Sequence, residues 1–255
     1  MKISVLSSGS KGNSTLIQTN NTKVNILIDL GVTRSYTEEK LKELNVDPKD
    51  IKAILITHTH IDHIDGLKVF LKKYKPVLYV NKIILSLLKE YISDFEYYLY
   101  ENNEFTIEDI KINVIKTSHD AKGSVGFLVS CDNKSVVYIT DTGYVNNKYF
   151  NLLKNHDMYI LESNHDVKML MEGRYPYHLK QRILGDKGHL SNDDCAYYLS
   201  EFIGNKTKNI VLAHLSDDNN TYDKALECTK KIIKNKKINL IIAKQKQRTD
   251  LIEVW

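Results

Sequence analysis

The sequence predicts an α/β fold in which two packed sheets carry helices on their outer faces. Three observations lead there: short apolar or alternating runs recur through the first and middle parts, helix-forming stretches are interspersed, and helices cluster late. Strands are expected at 3–6, 14–18, 24–30 and 53–57. Between the last two, residues 37–45 collect helix formers around Leu41 and Leu44, and Pro48 follows in the connection. A second helical stretch, 66–73, leads to a strand at 77–80 and a helix near 82–92. Runs at 110–116, 125–130 and 135–140 read as a meander. The pattern then becomes helix, strand, helix, with brief strands at 158–161 and 210–213 and helical periodicity over 192–203 and 221–235. Strands at 240–243 and 251–254 close the chain. With no repeat, linker or low-complexity tract in view, residues 1–255 are expected to form one domain.

Composition narrows the possible partners. A chain with 42% hydrophobic and 27% charged residues, 11 Gly and 3 Pro has the usage of a folded globular protein. The net charge of +4 permits a polyanionic partner without demanding one, because 32 of the 36 basic residues are Lys spread along the chain. Cys131, Cys195 and Cys228 form no CxxC pair, which argues against a disulfide framework and against a thiolate zinc site. The N-terminus MKISVLSSGSKGNS turns polar after Leu6, too early for a secretory segment, and no apolar run approaches a membrane span. The expectation is a cytoplasmic protein with no membrane partner.

The densest chemistry lies in ITHTHIDHIDG, residues 56–66, directly after an apolar run. Residues i and i+2 of an extended segment point to one side, so His58 and His60 can converge on one point. Asp62 and His63 follow in the turn before a helix and can address a neighbouring point. Protonated imidazoles crowded this closely would repel one another, and no core or capping role needs the H-x-H-x-D-H spacing, whereas a metal does. A mixed N/O set without thiolate suits a hydrolytic centre. Four residues do not complete two coordination spheres. His119, Asp141 and His214 each sit where a later apolar strand gives out and supply the missing number, although each alone reads equally well as a turn or surface residue.

THTHIDHIDG, followed by single His, Asp and His residues at strand ends, resembles the metallo-β-lactamase superfamily across nearly the whole chain. SSGSKGNS, ILIDLG at 26–31, ESNHD at 162–166 and GHLSN at 188–192 narrow the resemblance to its YycJ/WalJ-like exonuclease branch. The resemblance implies a four-layer αββα sandwich of two mixed sheets and a dinuclear site. His58, His60 and His119 would bind one ion, Asp62, His63 and His214 the other, and Asp141 would bridge them. The cofactors would be two divalent ions, Zn or Mn. Because no Cys lies in a metal motif, opening of β-lactams by a thiolate-bound zinc is disfavoured, while glyoxalase-type thioesterases share this ligand set.

Two bridged divalent ions lower the pKa of a shared water, so hydroxide attack on a phosphodiester becomes accessible at neutral pH. Asp62 could also orient that water. His189 precedes a helical stretch in which Ser191 or Asn192 could be the N-cap, and free amides there could receive a phosphate. In nucleases of the superfamily a Gly-His with Ser two residues after the His contacts the scissile phosphate, which implies phosphate binding for His189 and Ser191 and proton donation by His189. The segment 172–187 carries Arg174, Lys180 and Arg182 beside tyrosines, a mixture that can grip a nucleic-acid backbone or simply form a solvated helix. SSGSKGNS is either a tight turn or, through its amides, Ser10 and Lys11, an anion-binding nest. Asp29 and Glu162, at strand ends, are expected to hold a ligand imidazole by its other nitrogen or to cap a turn. His156, His165 and His178 receive no role.

The function expected from these residues is cleavage of nucleic-acid phosphodiesters, as a DNA exonuclease of 5′-to-3′ polarity, with DNA preferred over RNA as partner. The alternatives are a small-molecule esterase or thioesterase of the glyoxalase II kind, and a nucleic-acid- or metal-binding protein without turnover.

Overall fold

A computed structural model describes residues 1–20 and 23–254. In chain order the strands are β1 Lys2–Ser7, β2 Ser14–Gln18, β3 Asn25–Ile28, β4 Ile51–Leu55, β5 Val77–Val80, β6 Tyr97–Leu99, β7 Glu104–Ile107, β8 Ile110–Lys116, β9 Val125–Cys131, β10 Lys134–Ile139, β11 Met158–Glu162, β12 Asn209–Ala213, β13 Asn239–Ile242 and β14 Ile252–Glu253. The helices are α1 Arg34–Glu43, α2 Ile61–Ile64, α3 Leu67–Tyr74, α4 Lys82–Leu88, α5 Phe150–Leu153, α6 Val167–Glu172, α7 Tyr177–Leu184, α8 Asn192–Phe202 and α9 Tyr222–Ile232.

The strands form two sheets of seven, ordered β14-β1-β2-β3-β4-β5-β6 and β13-β12-β11-β10-β9-β8-β7. Each sheet is mixed. β14 to β3 pair antiparallel and β3 to β6 parallel in the first; β7 to β10 pair antiparallel and β10 to β13 parallel in the second. Strand alternation builds the layers. In β11, Met158 and Ile160 join the core between the sheets, while Tyr159 and Leu161 join a second core with Leu153, Leu199, Phe202 and Ala225 of the outer helices. On the other flank, Leu41, Phe70 and Leu88 bring α1, α3 and α4 onto the first sheet. The αββα sandwich expected from the resemblance is thus the observed architecture.

Local rules place most elements close to their expected bounds. Asn81 caps α4 by accepting from the amides of Ile83 and Ile84, and Ser191 with Asp194 forms a reciprocal capping box on α8. The expected strand at 53–57 is displaced: β4 ends at Leu55, so Thr57 already belongs to the loop that delivers the histidines. β6 and β7, and helices α5 and α6, were not expected from the pattern; α2 stands where a turn was expected, and α7 lies in the stretch 172–187 for which a solvated helix was one of two readings. β6 is a three-residue strand whose tyrosines are exposed, and α7 buries no residue fully, so neither carries a strong periodic signal.

Strand direction positions the site. β3 and β4 run parallel, as do β10, β11 and β12, and β8 shares the direction of β10 because both are antiparallel to β9. The residues that follow the carboxyl ends of these strands meet at one edge of the sandwich, the usual place for a ligand in α/β sheets.

Candidate metal centre

His58 and His60 lie in the loop after β4, Asp62 and His63 in α2, His119 after β8, Asp141 after β10 and His214 directly after β12. The structure brings all seven together. The ligand-type atoms of His58, His60 and His119 lie within 4.8 Å of one another, as do those of Asp62, His63 and His214, and as do those of Asp141 with His58 and His63. Asp141 stands between the groups: Oδ2 is 3.2 Å from His63 Nε2, and Oδ1 is 3.5 Å from His214 Nε2 and 3.8 Å from His119 Nε2.

The imidazoles are oriented from behind. Thr57 donates its amide and its hydroxyl to the two oxygens of buried Asp29 at 2.8 Å each. With its proton so used, Thr57 Oγ1 accepts from His58 Nδ1 at 3.0 Å, and Asp29 Oδ2 accepts from His63 Nδ1 at 2.8 Å. Glu162 Oε1 accepts from His214 Nδ1 at 2.8 Å, and the Gly188 carbonyl from His119 Nδ1 at 3.2 Å. Tying Nδ1 in this way fixes the tautomer and turns Nε2 into the free donor atom. Asp29 and Glu162 thus each lie against the Nδ1 atom of a histidine of the cluster.

Buried Nε2 atoms of His58 and His214 have no hydrogen-bond partner among the described residues. Orphaned buried polar atoms are uncommon in folded proteins. Several of them converging with carboxylate oxygens, and without thiolate, form a donor set suited to a pair of divalent ions.

Backbone strain marks the same residues. Asp29, Asp141 and His214 adopt left-handed φ of +59°, +56° and +55°. That conformation costs about 1–2 kcal/mol per residue, and at each of these positions it turns the chain at the end of a strand. ILIDLG ends in Gly31 for a steric reason: a Cβ there would lie 1.7 Å from the carbonyl oxygen of Asp62. Leu30 N donates to His63 O at 2.9 Å and Asn13 N to Asp62 O at 2.8 Å, so the loop after β3 grips the α2 turn backbone to backbone.

Electrostatics sort the histidines. Burial pushes His58 well below and His119 below the ordinary range. Burial also opposes a charge on His63 and His214, but Asp141 with Asp29 outweighs it for the first, and Asp141 with Asp62 and Glu162 lifts the second to about 10. Glu162 is held down at about 2 despite full burial, because His189 and His214 donate to it. His189 Nδ1 lies 2.8 Å from Glu162 Oε1, and that carboxylate raises His189 against the effect of burial.

A cavity of about 260 Å³ opens onto the cluster, lined by His60, Asp62, His119, Asp141, His189 and His214 together with Ser10 and Arg182. Other expected contacts fall outside it. Ser191 is a helix cap, its hydroxyl bound to Asp194 at 2.6 Å, so it is not open to a phosphate. In SSGSKGNS the amides of Ser8, Gly9, Gly12 and Asn13 are bonded within the protein and Lys11 pairs with Asp217 at 2.7 Å, as the tight-turn reading has it, while Ser10 lines the cavity. Lys180 is tied to the Met171 carbonyl at 2.6 Å, and neither it nor exposed Arg174 lines the cavity. Arg182 reaches the rim and pairs with Asp120, whose Oδ1 is 3.5 Å from His60 Nε2.

Some neighbours escaped the sequence reading. Asn13 Nδ2 lies 3.1 Å from His63 Nε2 and 3.3 Å from Asp62 Oδ2, and Asn164 Nδ2 holds the His214 carbonyl at 2.9 Å. Asp120 had a readable signal, a carboxylate adjoining an expected ligand. Of the unassigned histidines, His156 is a packing residue bonded to Ser135 and Leu152, and His178 is exposed. His165 is 1% exposed, and both its ring nitrogens lack partners among the described residues.

Known proteins are similar to this chain in sequence and in fold. Residues 8–184 match the family described as the metallo-beta-lactamase superfamily. The chain is 40% identical over 225 residues to exodeoxyribonuclease WalJ of Streptococcus pneumoniae, covering 86% of this chain and 83% of that one. It is 36% identical over 240 residues to exodeoxyribonuclease YycJ of Bacillus anthracis, covering 92% and 90%. Among solved structures, the metallo-beta-lactamase fold protein YhfI from Bacillus subtilis superposes with a TM-score of 0.72 at 17% identity, covering 97% of this chain and 98% of that one. Human tRNase Z, short form, superposes with a TM-score of 0.67 at 16% identity over the whole of both chains. By profile, by sequence and by fold, the chain belongs to the metallo-β-lactamase superfamily, in the WalJ/YycJ branch.

Proposed function

We propose that this chain is a metal-dependent exonuclease that cleaves phosphodiester bonds of DNA from the 5′ end with zinc or manganese. The observation that carries the reading is the convergence of seven ligand-type side chains, opening onto a cavity that also holds His189. The names of the relatives that cover most of the chain supply the substrate class.

His58, His60 and His119 would hold one ion, Asp62, His63 and His214 the other, and Asp141 would serve both. When bound, such a pair lowers the pKa of a water and takes up charge on a phosphate oxygen. The remaining work falls to the chain. Asp62, partly open to the cavity, can accept a hydrogen bond from a water there and so orient it. Glu162 holds His189 by Nδ1, favours its protonated form and leaves Nε2 open to a ligand. A charged imidazole at that position can grip a phosphate and pass a proton to the departing oxygen. Arg182 at the rim can neutralise an adjoining phosphate.

The test is to incubate protein reconstituted with zinc or manganese with DNA labelled at either end, with RNA and with a generic thioester, in the presence and absence of a chelator. Chelator-sensitive shortening of DNA from the 5′ end is expected. Thioester turnover with inert DNA, or DNA binding without any product, would overturn the reading. Asp62→Ala is expected to abolish cleavage in a folded protein. His189→Ala should lower cleavage about 10²–10⁴-fold, the range of a lost general acid, with metal content retained.

A further inference from the structure

Two other cavities share residues with the one over the metal centre. A cavity of about 290 Å³ meets it at Ser216 and carries Asp217 but no lysine. A larger groove of about 840 Å³ meets it at His119, Asp120 and Lys187, and Lys82, Lys116 and Lys122 line its further reach against the single carboxylate of Glu101. Lys82, Lys116 and Lys122 are exposed and form no ion pair with another described residue, unlike Lys73 and Lys111, which pair with Glu38 and Glu104. Tyr100, Val114 and Val125 are buried beneath them and give the groove an apolar floor.

The groove is held in register with the centre. Lys116 closes β8, and Lys122 lies in the loop that carries His119. Lys82 opens α4, whose cap residue Asn81 donates to the Gly123 carbonyl of that loop at 2.9 Å. Thr117 and Ser124 close the base of the loop through their hydroxyls at 2.5 Å, and Val125 N donates to the carbonyl of Thr57 at 2.9 Å. The backbone that carries these lysines is therefore fixed relative to His119.

We propose that this groove binds the sugar–phosphate backbone of the DNA strand that adjoins the scissile phosphate, with Lys82, Lys116 and Lys122 each meeting a phosphate. The inference rests on the nuclease reading and extends it. A polyanion bound at the centre can continue into an adjoining channel, and charge complementarity favours the one lined by three lysines that form no ion pair with another described residue.

The test is binding of nuclease-resistant phosphorothioate single strands of increasing length to metal-loaded protein across a salt series. In Lys82→Glu/Lys116→Glu/Lys122→Glu, the slope of log Kd against log salt should fall by about 2, since each phosphate contact on a single strand contributes roughly 0.7. Kd should rise about tenfold or more at low salt, and the gain in affinity with strand length should disappear. Lys230→Glu/Lys234→Glu/Lys237→Glu, at the lysine-rich surface beside α9 and β13, makes the same change in net charge and should keep the wild-type slope and length dependence. Equal losses in both variants, or none in the groove variant, would overturn the inference. If the glutamate variant does not fold, the triple Lys→Gln variant carries the same expectation for slope and length. Metal-loaded wild type that neither shortens nor binds DNA would overturn the nuclease reading together with this one. Cleavage by wild type beside an unaffected groove variant would overturn this one alone.

Discussion

Replacing Glu162 by glutamine changes one atom and leaves the volume intact, yet it opposes the bonds that aim His214. Glu162 accepts four hydrogen bonds without being exposed: two at Oε1 from His189 and His214 Nδ1, both at 2.8 Å, and two at Oε2 from the amides of Thr142 and Leu190, at 3.0 and 3.2 Å. An amide has one oxygen to offer. If that oxygen faces the imidazoles, the NH2 group meets two backbone N–H donors, and two buried amides go unsatisfied at a cost of about 1–3 kcal/mol each. Backbone amides cannot change tautomer, so the opposite orientation wins. The NH2 group then donates to both imidazoles, which must accept at Nδ1 and carry their proton on Nε2.

For His214 that tautomer is the wrong one, because Nε2 is the atom turned toward Asp62 and Asp141. The affinity of the Asp62, His63 and His214 group for zinc should fall about 10–100-fold, the usual effect of losing such an orienting partner, or about 1.4–2.8 kcal/mol. The three-histidine group does not touch Glu162 and should keep its affinity. Calorimetric titration of chelator-stripped protein with zinc should resolve one wild-type and one weakened site, with denaturant unfolding run in parallel as a folding control. Two sites of wild-type affinity in a folded Glu162→Gln protein would refute the tautomer argument.

Other perturbations probe the support of the site. Burial pushes His165 down to about 4, whereas the unfolded chain takes up the proton at the ordinary value of 6.5. Its contribution is thus fully present above pH 6.5 and is lost as pH falls toward 4, a difference of about 3 kcal/mol. His165→Leu should remove that part of the acid limb from unfolding curves measured across this range, and an unchanged limb would show that the ring is not the acid-labile group. Gly31→Ala should cost about 3 kcal/mol or more, because the added methyl meets the Asp62 carbonyl and neither backbone can yield freely. Its melting temperature and zinc stoichiometry should fall together; a wild-type melt with full zinc content would contradict the close approach of the two loops.

The legible and illegible parts of this protein differ in range. Strand ends could be read because apolar runs stop abruptly at residues such as His119, Asp141 and His214, and H-x-H-x-D-H is dense enough to exclude a packing role. GHLSN was harder. Its residues have three separate jobs: Gly188 accepts from His119, His189 meets Glu162, and Ser191 caps α8. Partners distant in the chain assign the first two, as they do Asn13, which faces a histidine 50 residues away, whereas Ser191 and Lys180 are occupied locally, by Asp194 and by the Met171 carbonyl. Composition announces a charged group but not whether folding will occupy it.

The metal-free site also explains why the two halves of the centre should respond differently to acid. His58 and His119 face other imidazoles, with ring centroids 4.7 to 5.1 Å apart around His60, and burial keeps both neutral. No proton need leave them for a metal to enter. His63 and His214 instead lie against Asp29, Asp62, Asp141 and Glu162, and the carboxylates hold both as imidazolium despite burial. Each must give up its Nε2 proton before it can donate to an ion. Affinity of that group should therefore fall about tenfold per pH unit for each proton displaced, a steeper dependence than for the group that contains neutral His58 and His119. Zinc titrations from pH 8 to pH 6, repeated in buffers of different ionisation enthalpy, should show one equivalent lost first and proton release tied to that equivalent alone. Parallel loss of both equivalents would mean that the carboxylates do not charge His63 and His214, and that the two groups enter the reaction as chemical equals.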